Sequence, residues 1–325
     1  MHRKGIRGTW NSPAGANAFA LPTAVLEDRD MAIGRMTPGA SPLVDAQYFG
    51  TNPVLGAYAE QDSISQFELQ LNRPIKLITA FTDSNNPDIT ANTFPFDVQW
   101  PSDRKLILSH ALIGYGWDMN DSASGVHDSD YEAAVDNLIQ WKERIFSIRI
   151  GWEFNANNGY PWSIGGSGGT NQSAATYAAS FANFAKYVRE KLPGVLIDWC
   201  PLSDHTVPDA WYPGDEYVDI IGNDVYIKSA FHLNSFAESL NQTAGLYWQE
   251  AFAQTHGKLQ GYPEWGTDYT DGAAWITAMA EWMRRPRSAG RVIYQSYWNS
   301  DSVVTSALTP KPLNLAAYKA AFGEI

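Results

Sequence analysis

The feature that most constrains this chain is an alternation. From residue 54 onward, short apolar runs and helix-spaced segments succeed one another eight times. The runs cover 54–59, 75–82, 106–113, 148–154, 195–201, 218–226, 259–265 and 292–298. Each is nearly continuous in apolar side chains, the pattern of a strand buried on both faces. Between them, segments such as 131–144, 171–192, 235–256 and 275–285 carry apolar residues at helical spacing, with a last one near 313–322. Pro193-Gly194 reads as a helix stop. Eight β–α units in tandem predict an α/β fold, a (β/α)8 TIM barrel over residues 54–325. The open doubly wound sheet is the competitor, but no Gly-rich dinucleotide fingerprint follows any strand. Residues 1–53 do not fit the repeat; rich in Pro, Gly, Ala and Asn, they are expected to pack on the barrel as an extended segment.

Composition narrows the partners. The net charge of -12 disfavours phosphate backbones, so no nucleic acid is expected to bind. No stretch approaches the ~18 apolar residues of a membrane span. The basic start Met1-His-Arg-Lys-Gly-Ile-Arg-Gly8 is followed by no apolar segment of the kind a signal peptide needs. The single cysteine, Cys200, excludes an internal disulfide and reads as a small buried hydrophobe. No histidine pair stands at metal-ligand spacing, so a zinc site is not expected. The aromatic load of 13 Trp, 16 Tyr and 14 Phe is large for core filling alone. Indoles stack well on the apolar faces of sugar rings.

In a barrel of this kind the chemistry sits at the strand C-termini and the loops after them. Strand 3 ends near His110. Strand 4 ends in Gly151-Trp152-Glu153-Phe154-Asn155, followed by Tyr160-Pro161-Trp162. Strand 5 ends in Trp199 to His205, strand 6 in Asn223-Asp224-Val225-Tyr226, strand 7 in Pro263-Glu264-Trp265-Gly266, and strand 8 near Trp298. Glu153 and Glu264 thus fall on strands that face each other across the barrel, both beside tryptophan. Apolar surroundings and a second carboxylate raise the pKa of one member. Glycoside hydrolysis needs such a split pair, and a retaining pair stands about 5–5.5 Å apart. Tyr226 is placed to donate to the strand 7 carboxylate, and Trp298 to serve as a sugar platform. Trp152, Trp162 and Trp265 are expected to line subsites, Asn155 to bond sugar or acid, and His110 and His205 to bind hydroxyls or serve structurally.

Three segments resemble glycoside hydrolase family 26 of clan A. They are Arg149-Ile-Gly-Trp-Glu153-Phe-Asn155 with Tyr160-Pro-Trp162, Trp211-Tyr-Pro-Gly-Asp215 through to Tyr226, and Pro263-Glu264-Trp265-Gly266. The resemblance implies a double-displacement mechanism with Glu153 as acid/base, Glu264 as nucleophile, and Tyr226 and Trp298 beside the cleaved sugar. It also implies a polysaccharide substrate and a mechanism that needs neither metal nor organic cofactor, and a polymer substrate in turn points to extracellular or surface action. Two departures stand out. Mannanases of the family usually carry His before the acid, where this chain has Trp152, and their tryptophan shortly after the acid is replaced by Asn158-Gly159. A β-mannan, β-glucan, xylan or bacterial exopolysaccharide therefore stays open as substrate. The alternative reading is an inactive barrel that binds carbohydrate or attaches a virion or cell surface. An aldolase or isomerase barrel is disfavoured, since nothing beside Lys228 suggests its activation.

Overall fold

The computed structural model describes residues 52–59, 63–91, 103–163, 173–231, 235–285, 288 and 291–323. The expected extended segment at 1–53 lies almost wholly outside these residues. The strands are β1 (Val54–Tyr58), β2 (Leu77–Phe81), β3 (Lys105–His110), β4 (Ile145–Ile150), β5 (Leu196–Trp199), β6 (Ile220–Gly222), β7 (Val225–Ile227), β8 (Leu259–Thr267) and β9 (Val292–Trp298). All pair in parallel. The order β6-β5-β4-β3-β2-β1-β9-β8-β7 is closed by a further β6–β8 pairing. Because β6 and β7 are two halves of one stave, this is a closed eight-stranded parallel (β/α)8 barrel.

The sixth stave is interrupted at Asn223-Asp224, inside what reads from sequence as one run. Asn223 N–H donates to Gly261 on one side and Asp224 N–H to Pro201 on the other. The chain therefore swings from one neighbour to the other at this point, and a break of that kind re-aims a side chain. The fourth strand also departs from its expected bounds. Apolar Trp152 and Phe154 extend the run, but the backbone leaves the sheet at Gly151, which adopts φ +54. A Cβ there would lie 2.8 Å from the Leu112 Cβ, so glycine is required on both counts.

Eight helices are described: α1 (Ile64–Leu71), α2 (Met119–Ala123), α3 (Asp128–Leu138), α4 (Ala174–Lys191), α5 (Phe236–Asn241), α6 (Leu246–Thr255), α7 (Ala273–Arg284) and α8 (Pro312–Phe322). The segment expected as one helix over 235–256 is two. Gly245 starts the second and packs so closely on Ser239 that a Cβ would lie 2.6 Å from its carbonyl. Helix α4 opens on a capping box, with Ser173 and Thr176 satisfying each other's backbone donors. Among the described residues no helix is long and apolar enough to cross a membrane.

Apolar side chains fill two zones. One lies between sheet and helices, where α4 contributes Tyr177, Phe181, Phe184 and Val188. The other plugs the lower barrel with Leu77, Ile107, Phe146, Leu196, Ile220, Ile293 and Tyr294. The upper barrel is filled differently.

Candidate active site

Above the apolar plug, inward positions of three staves carry the charged side chains Arg149, Asp224 and Glu264. Arg149 on β4 is fully buried, and its guanidinium bridges two carboxylates. One Nη donates to Glu264 Oε1 at 2.8 Å and also to Ser109 at 3.1 Å; the other donates to Asp224. Glu264, projecting from the long strand β8, receives a second donor on its other oxygen, the Tyr226 phenol at 3.0 Å. Two donors from different staves hold this carboxylate in one orientation. Cys200 also touches the cluster, its thiol 3.4 Å from Asp224. The expectation that Cys200 is only a small hydrophobe is therefore incomplete. The cysteine is buried, but it serves as a weak donor to a charged group.

Glu153 reaches this cluster from the turn after β4. Its backbone sits at φ +51, a left-handed conformation that costs a non-glycine residue roughly 1–2 kcal/mol. The turn is held by the Glu153 N–H, which donates 2.8 Å to Cys200 at the end of the neighbouring strand. Together with Gly151 it lifts the side chain to the mouth. One carboxylate oxygen from each of Glu153, Asp224 and Glu264 lies within 4.8 Å of the others. Burial, and then the charge of Glu264, push the Glu153 carboxyl up to about 7, against weaker opposing effects of Arg149, Lys228 and a 3.0 Å hydrogen bond from Asn158. Burial likewise raises Asp224, although Arg149 opposes it.

Three clustered carboxylates could in principle hold a cation. Here Arg149 already directs one Nη at Asp224 and another at Glu264, so the guanidinium occupies the position of charge balance. The arrangement is a carboxylate pair with one half-buried member of raised pKa and one member held by two donors.

The sequence of the chain matches the family model described as "Glycosyl hydrolase family 26" over residues 51–301. The chain belongs to glycosyl hydrolase family 26. It is accordingly a glycoside hydrolase by family. Among solved structures, the Cellulomonas fimi endo-beta-1,4-mannanase double mutant is similar at 16% identity and a TM-score of 0.61, over 87% of this chain and 74% of that one. The β-mannanase of Bacteroides ovatus is similar at 16% identity and TM-score 0.55, over 85% and 89%. The YdhT protein of Bacillus subtilis matches at 14% identity and TM-score 0.58, over 87% and 92%. At these identities the likeness shows the shared fold. No curated protein matches the chain.

Within this family 26 barrel, the other residues singled out from sequence fall into two groups. Tyr226 and Trp298 lie together beside the carboxylates, in a cluster with Tyr58, Phe81 and Leu202. Trp298 stacks on Tyr58 with ring centroids 3.9 Å apart, and its indole Nε1 is buried without a hydrogen-bond partner among the described residues. Trp152 is packed edge-on against Phe81, and its carbonyl accepts the Trp162 indole N–H at 2.8 Å.

Of the remaining residues, Trp162 and Trp265 do not line the site as expected, and His110 takes the structural one of its two expected roles. Trp162 is fully buried beneath Tyr160, and it is Tyr160 that stands half-buried near the carboxylate pair. Trp265 is also fully buried. It faces outward from β8, donates 2.6 Å to Gln295 and packs on Trp275, Tyr297 and Tyr318. Consecutive strand residues point to opposite faces, so Glu264 inward sends Trp265 outward. His110 is buried against Phe184 of α4, with Nδ1 2.8 Å from the Ala111 carbonyl, and burial lowers it to about 4. It is a structural histidine. Asn155 spends its amide on the loop after β5, accepting from Leu202 N–H and donating to the Leu202 and His205 carbonyls. It positions that loop. His205 itself is paired with Asp204 at 2.5 Å and has no described contact with the carboxylates.

Arg149, Asp224 and Asn158 were undervalued from sequence. The signal for Arg149 was present: one charged side chain inside the otherwise uncharged buried run Ile145–Ile150. A buried charge of that kind requires a partner.

Proposed function

We propose that the chain is a retaining, endo-acting β-glycanase that works by double displacement, with Glu153 as acid/base and Glu264 as nucleophile. The observation that carries this reading is the approach of the two carboxylates to within 4.8 Å. Retaining pairs stand about 5–5.5 Å apart, whereas inverting pairs leave about 6.5–9.5 Å for a water.

In the first step a Glu264 oxygen attacks the anomeric carbon, and the glycosidic C–O bond breaks. Glu153 delivers its proton to the leaving oxygen, which gives a glycosyl ester on Glu264. Glu153 is suited to this because its pKa of about 7 leaves it substantially protonated at neutral pH. Once the leaving sugar departs, Glu153 is the base that takes a proton from water. That water attacks the anomeric carbon, frees Glu264 and restores the starting configuration. Tyr226 and Arg149 aim the nucleophile, and Trp298 and the half-buried Tyr160 supply apolar surface for sugar rings.

The fold neighbours include an endo-beta-1,4-mannanase and a β-mannanase, so β-mannan is the first polymer to test. Trp152, standing where mannanases of the family usually carry His, makes β-glucan, xylan and bacterial exopolysaccharide the necessary companions. The decisive experiment is NMR of the first product released from that panel. The β-anomer is expected, and azide should restore turnover to Glu264→Ala as an α-glycosyl azide. Initial release of the α-anomer, or unimpaired activity in Glu264→Ala, ends the assignment.

A further inference from the structure

Lys228 follows β7, immediately beyond the strand that supplies Tyr226. Its ammonium lies 5.1 Å from the centroid of the Tyr226 ring, whose hydroxyl holds Glu264, and its charge acts on Glu153. The side chain is half-buried. The acids around it are engaged elsewhere. Asp268 accepts from the Ser229 N–H and hydroxyl, Asp224 and Glu264 accept from Arg149, and Glu153 accepts from Asn158. Among the described residues the ammonium forms no ion pair, and its one described contact is the aromatic face.

A half-buried ammonium without an anion is costly unless something supplies the counter-charge. A ring face attracts the cation but leaves its net charge intact. The setting sharpens the point. The protein carries a net charge of -12, so its general field repels acidic polymers. A positive group beside the reacting carboxylates is then the feature that would let one acidic group in.

We propose that Lys228 is a specificity-determining residue that pairs with a carboxylate on the substrate, so that the site takes an acidic, uronate-bearing β-glycan. The inference rests on the glycanase reading above and adds the substrate class to it. Lysine suits this role because its ammonium is a compact charge on a flexible stem and can follow a carboxylate that moves with the sugar ring.

The test uses the full chain and matched polymers. Uronate-bearing β-glycans are presented before and after chemical reduction of their carboxyls to neutral hydroxymethyl groups, beside neutral mannan, glucan and xylan. Lys228→Met is compared with the unsubstituted protein for release of reducing ends and for retardation in polymer-containing native gels. The unsubstituted protein should prefer the native acidic polymer to its reduced counterpart. In Lys228→Met, KM for the acidic polymer should rise on the order of tenfold, with kcat and neutral-polymer activity little changed. Lys228→Arg should recover part of the loss, and added salt should erase the preference. An equal loss on acidic and neutral polymers would mean that Lys228 merely balances the charge of Glu153 and would overturn the proposal. Equal preference for native and reduced polymer overturns it as well. If no polymer is cleaved, the glycanase reading fails by itself, and the lysine is then judged by retardation alone: acid-specific retardation lost in Lys228→Met supports it, and retardation indifferent to carboxyls or to the substitution refutes it.

Discussion

The lower and upper halves of the barrel interior are built from the same staves and obey opposite rules. On β4, Phe146 points into the apolar plug, while Arg149 of the same strand points into the charged layer above. On β3 the pair is Ile107 below and Ser109 above. The plug stabilises by burial and depends on volume. The charged layer depends on pairing, since each member is tolerable only while its partner is present. Stability is thus concentrated in one half, and chemistry in the other half rests on that dry floor, where charges interact more strongly than in water.

That comparison can be broken or sharpened experimentally. The largest effect is expected from Arg149→Met, which leaves Asp224 and Glu264 buried without their counter-charge. Stability should fall by about 3–5 kcal/mol and turnover should collapse with it. Chemical denaturation and product release measure the two, and a stable, active Arg149→Met would dissolve the distinction between halves. Phe146→Ala should cost about 3 kcal/mol or somewhat more, read from the denaturation midpoint, with kcat near its original value. A large fall in kcat at unchanged stability would show that the floor takes part in the chemistry.

Tyr226→Phe deletes one donor to Glu264 and fills the same space. Turnover should drop roughly tenfold to a hundredfold with little change in melting temperature, as expected for a hydrogen bond to a charged group. Asn158→Ala should give the smallest change. The acid must be protonated to work, so kcat/KM should decline as pH rises through about 7. The Asn158 bond lowers that pKa, and its removal should move the alkaline limb to higher pH. A limb that moves to lower pH, or fails to move, would separate Glu153 from the acid role.

Legibility in the sequence followed a simple divide. Barrel staves could be read because a strand buried on both faces writes itself as an apolar run. The pair Glu153 and Glu264 could be read because glutamates stand out at the ends of such runs. The aromatic assignments were less legible. Trp162, Trp265 and Trp298 look alike in sequence, yet the first two are fully buried and only Trp298 borders the carboxylates. For Trp265, strand alternation from Glu264 contained the answer. For Trp162, the answer depended on Tyr160 covering it, which no spacing states.

What the sequence determined alone was the repeat and its hydrophobic phase, since periodicity is a local property of neighbouring residues. Tertiary structure decided which way the side chains after each strand turn, through the left-handed backbone at Gly151 and Glu153 and the break at Asn223-Asp224. It also decided that Arg149 joins Asp224 to Glu264. These are long-range choices, made where hydrogen bonds to a neighbouring stave outweigh the conformational preference of the residue itself.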